Sequence, residues 1–159
     1  MAVRDNYSNF NYYQAIQTQG ADNTAIAGAA VDTRGYEAVT FAVAVGLVES
    51  NTTGFEIQIQ HTDASALGNG PSDFADVTSG SYIIHSALSA NDTLTNGMWQ
   101  SIMGSTAYGQ ASKVYIVGYK GPKRYVRLNV SNTLNGSINV GAIAILGYPA
   151  NWPVNTPTQ

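Results

Sequence analysis

The sequence predicts an all-β fold, a single-domain β-sandwich of jelly-roll-like character, on three observations. Residues that favour strands and turns dominate, with ten Tyr, sixteen Gly and many Val, Ile, Thr, Asn and Ser, whereas Leu, Glu, Lys and Arg are sparse. Several segments alternate apolar and polar residues with the period of two that places one strand face in a core. The length of 159 residues suits one domain that buries roughly two thirds of its unfolded surface. The boundaries read as an N-terminal arm over 1–13, the sandwich over 14–148 and a C-terminal arm over 149–159.

The N-terminal arm carries Tyr7, Phe10, Tyr12 and Tyr13 among Asn and Ser. Weak strand patterns follow at 14–19 and 24–31. Over 36–48 the residues Val39, Phe41, Val43 and Val45 make a large-residue face, while Ala38, Thr40, Ala42 and Ala44 make a small, flat one that a second layer could approach closely. That layer is either the other sheet of the sandwich or a second subunit. After the turn at 51–54, Phe55, Ile57, Ile59 and His61 alternate with Glu56, Gln58 and Gln60 in a half-exposed strand. A loop over 63–73 leads to weaker strands at 74–78 and 81–86, for a total of about eight or nine short strands, the usual number for a sandwich or jelly roll.

The interval 86–111 reads either as a short helix or as a long loop anchored by Ala87, Leu88, Met98, Trp99, Ile102 and Met103. The C-terminal third is clearer. Lys113–Tyr119 and 124–130 flank the turn Lys120-Gly121-Pro122-Lys123, with Val126, Leu128 and Val130 alternating against Tyr125, Arg127 and Asn129. Asn135-Gly136 suits a type I′ turn. Residues 137–146 then run back as a third strand with Ile138, Val140, Ala142, Ala144 and Leu146 on one face and Ile143 and Ile145 on the other. Read as hairpins, the three strands make a C-terminal β-meander, and neither face of the third strand looks solvent-exposed near its end. The last segment holds three prolines and Trp152, as an extended arm does.

Charged residues are only 11% of the chain and the net charge is −3, so Asn, Gln, Ser, Thr and backbone must cover the surface, as in proteins buried within assemblies. The ten acids all lie at or before Asp92, and five of the seven bases fall between Lys113 and Arg127. Either the basic stretch meets an acidic partner, or the two halves neutralise each other within one sandwich. There is no Cys, which excludes a disulfide framework and thiolate metal sites. The start MAVRDNYSNF lacks the apolar core of a secretory signal, and the longest apolar run is too short to span a bilayer, so a soluble protein made in the cytoplasm is expected. The five N-x-S/T matches, at Asn6, Asn51, Asn91, Asn129 and Asn135, are ordinary in so Asn- and Ser-rich a chain.

No catalytic set stands out. His61 and His85 are the only histidines, each flanked by strand-like sequence, and His61-Thr62-Asp63 lacks a third metal ligand at a telling spacing. Nucleophile-elbow, phosphate-loop and paired-carboxylate patterns are missing. The reading is therefore of a non-enzyme with no cofactor or metal. Lys113, Lys120, Lys123, Arg124 and Arg127 interleave with Tyr115, Tyr119 and Tyr125 as in a single-strand stacking platform, but the acidic balance of the chain argues against nucleic acid. Tyr115 and Tyr119 share the parity of Val117 and can simply pack on one sheet face.

Three stretches, Asp32-Thr-Arg-Gly-Tyr-Glu-Ala-Val-Thr-Phe41, Gly118-Tyr-Lys-Gly-Pro-Lys-Arg-Tyr-Val-Arg-Leu-Asn-Val130 and Ala144-Ile-Leu-Gly-Tyr-Pro149, resemble a family of small proteins from tailed-phage head gene clusters. The resemblance covers about a third of the chain and is similar to capsid decoration, or cement, proteins. It implies a β-sandwich, a homotrimer, that sits on the virion capsid surface, binds the major capsid protein and bridges capsomers, with no membrane partner. On that reading Tyr7, Phe10, Tyr12, Tyr13 and Trp152 are arm anchors, and Lys120, Lys123, Arg124 and Arg127 contact acidic protein surface. The alternatives are a sugar- or receptor-binding sandwich of a fibre or tail, and a neck or tail structural subunit.

Overall fold

The computed structural model describes residues 10–22, 24–50, 55–66, 70–86, 92–102, 112–132 and 136–150. Within them run the strands β1 (Asn11–Asp22), β2 (Ile26–Ala27), β3 (Val31–Asp32), β4 (Tyr36–Ser50), β5 (Phe55–Thr62), β6 (Ser65–Ala66), β7 (Gly70–Pro71), β8 (Ala75–Asp76), β9 (Ile83–Ile84), β10 (Met98–Ile102), β11 (Lys113–Tyr119), β12 (Tyr125–Asn132) and β13 (Gly136–Pro149). One sheet has the order β1-β13-β4-β11-β9. The other has the order β10-β5-β12-β2, with β3 beside β12 and β8 beside β5, and β6 and β7 pair as a separate small ribbon. The all-β sandwich expected from composition and periodicity is the observed fold.

The alternating patterns explain which faces meet. Val39, Phe41, Val43 and Val45 of β4, Val117 and Tyr119 of β11, and Ile138, Val140, Ala142, Ala144 and Leu146 of β13 turn inward from the first sheet. Phe55, Ile57 and Ile59 of β5 with Val126, Leu128 and Val130 of β12 turn inward from the second. Fully burying each large side chain contributes about 1.5–3 kcal/mol, so this shared layer is the main source of stability. Gly28 stitches the two sheets: its N–H donates to the Leu128 carbonyl at 2.8 Å, and the next N–H, of Ala29, donates to the Ala15 carbonyl at 2.8 Å.

Three expectations are corrected. The last three strands exist, but they are not a meander. β11 pairs with β4 and β9 in the first sheet, β12 pairs with β5, β2 and β3 in the second, and β13 returns to the first between β1 and β4. Residues 120–124 cross the core from one sheet to the other instead of turning within one. Alternation shows that a strand has a buried face and says nothing about which sheet carries it; Val117 and Leu128 would share a face in a hairpin, and here they oppose each other across the core. Second, Met98, Trp99 and Ile102 lie on strand β10 after a 3-10 turn at Thr95–Gly97, not on a helix or loop. Third, the segment 24–31 is broken at Gly28, where an added Cβ would meet the Ala15 and Leu128 carbonyl oxygens at 2.6 and 2.7 Å. The turns at 51–54 and at Asn135, with Ala87, Leu88 and Met103, lie outside the described residues.

Candidate interaction surface

In antiparallel pairs, directly opposed residues share a face. The register therefore lays out the outer face of the first sheet as rows: Tyr12, Ile145, Thr40, Gly118 and Ile84; then Gln14, Ile143, Ala42 and Ile116; then Gly141, Ala44 and Val114. No member of these rows is charged. Leu47 joins them through a bulge, because Gly46 and Leu47 stand where β13 offers only Asn139, which leaves both Val45 and Val48 turned to the core. Val114 is 64% exposed, Ile84 61%, Ile116 60% and Leu47 57%. An antiparallel sheet with one free face ordinarily presents polar residues there. A contiguous apolar face of this kind marks a contact surface.

The face also has relief. Ala42, Ala44 and Gly141 floor a shallow trough of about 340 Å³, walled by Val114 and Ile143 and, on the β1 side, by Gln14 and Thr18. Gly141 is required by close approach, since an added Cβ would lie 2.5 Å from the Thr18 hydroxyl oxygen. Beside the trough, Val114 and Ile116 of β11 stand as a ridge that continues to Ile84, whose side chain covers Gly118.

The outer face of the second sheet is the opposite case. Arg127 Nε donates to Gln60 Oε1 at 2.9 Å, and Gln60 Nε2 donates to Asp76 Oδ1 at 2.8 Å. Asn129 Nδ2 donates to Gln58 Oε1 at 2.7 Å, while Gln58 Nε2 and Ser131 Oγ both donate to Glu56 Oε2 at 3.3 Å. The Arg127 guanidinium also stacks 4.1 Å from the Phe74 ring centroid. Polar groups here satisfy one another across β5 and β12.

Lys123, Arg124 and Arg127 of the basic stretch are engaged within the fold. Arg124 donates from Nε and Nη2 to the Asp32 carboxylate, the latter at 2.7 Å, and its backbone N–H donates to Asp63 at 2.9 Å. Lys123 Nζ pairs with Asp63 at 2.7 Å. These contacts follow the reading in which the acidic and basic parts neutralise each other inside one sandwich. Burial raises the Asp32 carboxyl, but hydrogen bonds from Arg124 and the Arg34 backbone N–H outweigh it and hold the group below its usual range. The hydrogen bond from Lys123, then that from the Arg124 backbone, lowers Asp63 likewise. Lys120 is exposed at the start of the crossover.

His61 lies beside this cluster. Its Nδ1 is 2.8 Å from the Tyr119 hydroxyl, which accepts the Lys123 N–H at 3.2 Å and so has its own proton to give to the ring. Burial and the nearby Lys123 charge lower the His61 pKa, and burial pushes Tyr119 up to about 12. The pair is a neutral, structural hydrogen bond at ordinary pH.

Of the residues singled out from sequence, Tyr12 and Tyr13 lie in β1 and not on a free arm. Tyr12 is part of the uncharged face, opposite Ile145, and Tyr13 points to the core side, where its hydroxyl accepts from Asn11 Nδ2 at 3.0 Å. The Phe10 ring lies over Gly147. Tyr7 and Trp152 lie outside the described residues. The small flat face of 36–48 was visible in the sequence. Its partners Val114 and Ile116 were missed, although the nearly continuous apolar run Val114-Tyr-Ile-Val117 signals a strand apolar on both sides.

No protein-family model matches the chain, and no curated protein matches it. Among solved structures the chain is similar to the crystal structure of SPBc2 prophage-derived protein YomS, with 10% identity, coverage of 92% of this chain and 100% of that one, and a TM-score of 0.45.

Proposed function

We propose that the chain is a structural virion protein, a decoration protein on the head of a tailed phage, and that it works by protein contact through the outer face of its first sheet. The uncharged aliphatic face built on β4, β11 and β13 carries this reading. The sequence resemblance supplies the setting. Aliphatic side chains over Ala and Gly suit close packing against protein, whereas sugar recognition relies on exposed aromatic platforms, and among the described residues five of the seven large exposed hydrophobics are aliphatic. Many copies per particle would add modest contacts into firm shell stabilisation by multivalency. The reading assigns the chain no catalysis, and its partners are the major capsid protein and other copies of itself.

On this reading the contact lies on the sheet face and not on the basic stretch at the crossover. Charge reversal at Arg124 would break the Asp32 pair and disturb the crossover, so it tests folding as much as docking. Ile116→Lys places a charge on the face at an exposed position and leaves the core untouched. Particles assembled with this variant are expected to show reduced occupancy and reduced heat resistance, by electron cryomicroscopy and thermal release of DNA. Full occupancy with unchanged heat resistance would remove the face from the function.

A further inference from the structure

We propose that the occupant of this face is a second copy of the chain, seated face to face about a two-fold axis; the proposal rests on the reading of the face as the assembly contact. Three features point to a copy of itself.

The first is shape. Ridge and trough run side by side on neighbouring strands, Val114 and Ile116 on β11 and Ala42 and Ala44 on β4. A two-fold axis parallel to the strands, lying in the contact plane above the seam between β4 and β11, carries each ridge into the other copy's trough, which is the self-complementarity that an isologous interface requires. The small residues on the trough floor let two sheets approach to about the 10 Å of sheet-on-sheet packing.

The second is charge. A two-fold contact brings like groups toward like, so any uniform charge on the face would repel its own image. The paired rows contain none. At the crossover, Arg124 and Lys123 are paired with Asp32 and Asp63, and the exposed Lys120 at its start lies beyond the uncharged rows.

The third is area. Five strands spaced about 4.8 Å apart, over about eight residues of β4, give a face of about 20 by 25 Å in projection. Two such faces together remove at least about 1,000 Å² from water, which reaches the lower bound for a specific interface. A reversible dimer follows. In a particle, it would link decoration proteins on neighbouring capsomers.

The chain lacks Cys, so engineered thiols report cleanly. Ala42→Cys and Ile116→Cys proteins are mixed and treated with a short bis-maleimide, which spans opposed sheets where a direct disulfide would not reach, and the expected product is the mixed cross-linked dimer in excess over either homodimer. Analytical ultracentrifugation of the unmodified chain is expected to show a concentration-dependent dimer. Ile116→Lys should weaken it about 100-fold, because it buries an unpaired charge, with an unchanged melting transition to show that the monomer is intact. A chain monomeric at high micromolar concentration with no mixed cross-link overturns the two-fold proposal. If Ile116→Lys then still reduces particle occupancy, the face binds the shell and the functional reading stands. If occupancy is also unchanged, both fall.

Discussion

His61 shows how a single polar residue is fixed at the margin of the core. Its ring accepts from Tyr119, while Tyr82 and Tyr119 crowd it at centroid distances of 6.1 and 5.8 Å. Charging it is opposed first by burial and then by the nearby Lys123 charge, with Asp63 only partly offsetting. With the folded pKa below the ordinary imidazole value of about 6.5, the unfolded chain takes up the proton first as pH falls, so stability declines from about pH 6.5 downward until the folded pKa is passed. Asp32 and Asp63 add a later loss, because their depressed pKa values stabilise the fold above about pH 4 and that contribution disappears as they protonate. His61→Gln is expected to flatten the first decline and leave the second, measured by urea denaturation at pH 7, 5 and 3. A variant that keeps the whole pH 7 to 5 decline would assign it elsewhere. None of this was legible beforehand: His61 alternates like a strand residue, and Tyr119 is 58 positions away.

At the scale of elements, Gly28 carries more than its sequence suggests. It sits where the second sheet's edge passes over β1, and each neighbouring carbonyl within 2.7 Å of a would-be Cβ is backbone that cannot swing aside. Gly28→Val is expected to destabilise the fold by about 3 kcal/mol, through overpacking and the weakened Gly28 and Ala29 hydrogen bonds, read as a drop in the urea midpoint. A loss within error would mean that the stitch between the sheets contributes little. Gly35 offers the contrast: it has φ +89° in the turn closed by the Tyr36 N–H to the Thr33 carbonyl, yet has nothing within 4 Å, so its constraint is conformational only. Strands β4, β5, β11, β12 and β13 could be read from alternation, since a buried face imposes its own period. Their pairing could not, because Tyr119 and Tyr125 look like the two sides of a hairpin in any linear reading.

For the whole molecule, the sandwich joins one sheet whose outer side is sealed by its own hydrogen bonds to another whose outer side is not. β13 lies between β1 and β4, so the last long strand closes the sheet that the first one edges. The uncharged outer face arises only from that closure, as Tyr12, Ala42, Ile116 and Ile143 come from four separate strands. Half of it was foreshadowed by the Ala and Thr alternation of 36–48 and by Ile143 and Ile145. The other half needed β11 beside β4, which no local pattern specifies.

The lack of charge on that face has a thermal and ionic signature. Contacts made by apolar surface loosen on cooling and tighten with sulfate, while ion-paired contacts weaken as salt rises. Assemblies held by Val114, Ile116 and Ile143 should come apart more readily near the freezing point than at room temperature, and should tolerate sodium chloride that strips off a protein bound by lysines and arginines. Light scattering against temperature at two salt concentrations reads both effects, and cold-stable, salt-labile assemblies would point away from this sheet. Such behaviour would set the conditions for handling any assembly made through this face: warmth and salt keep it closed, and ice opens it.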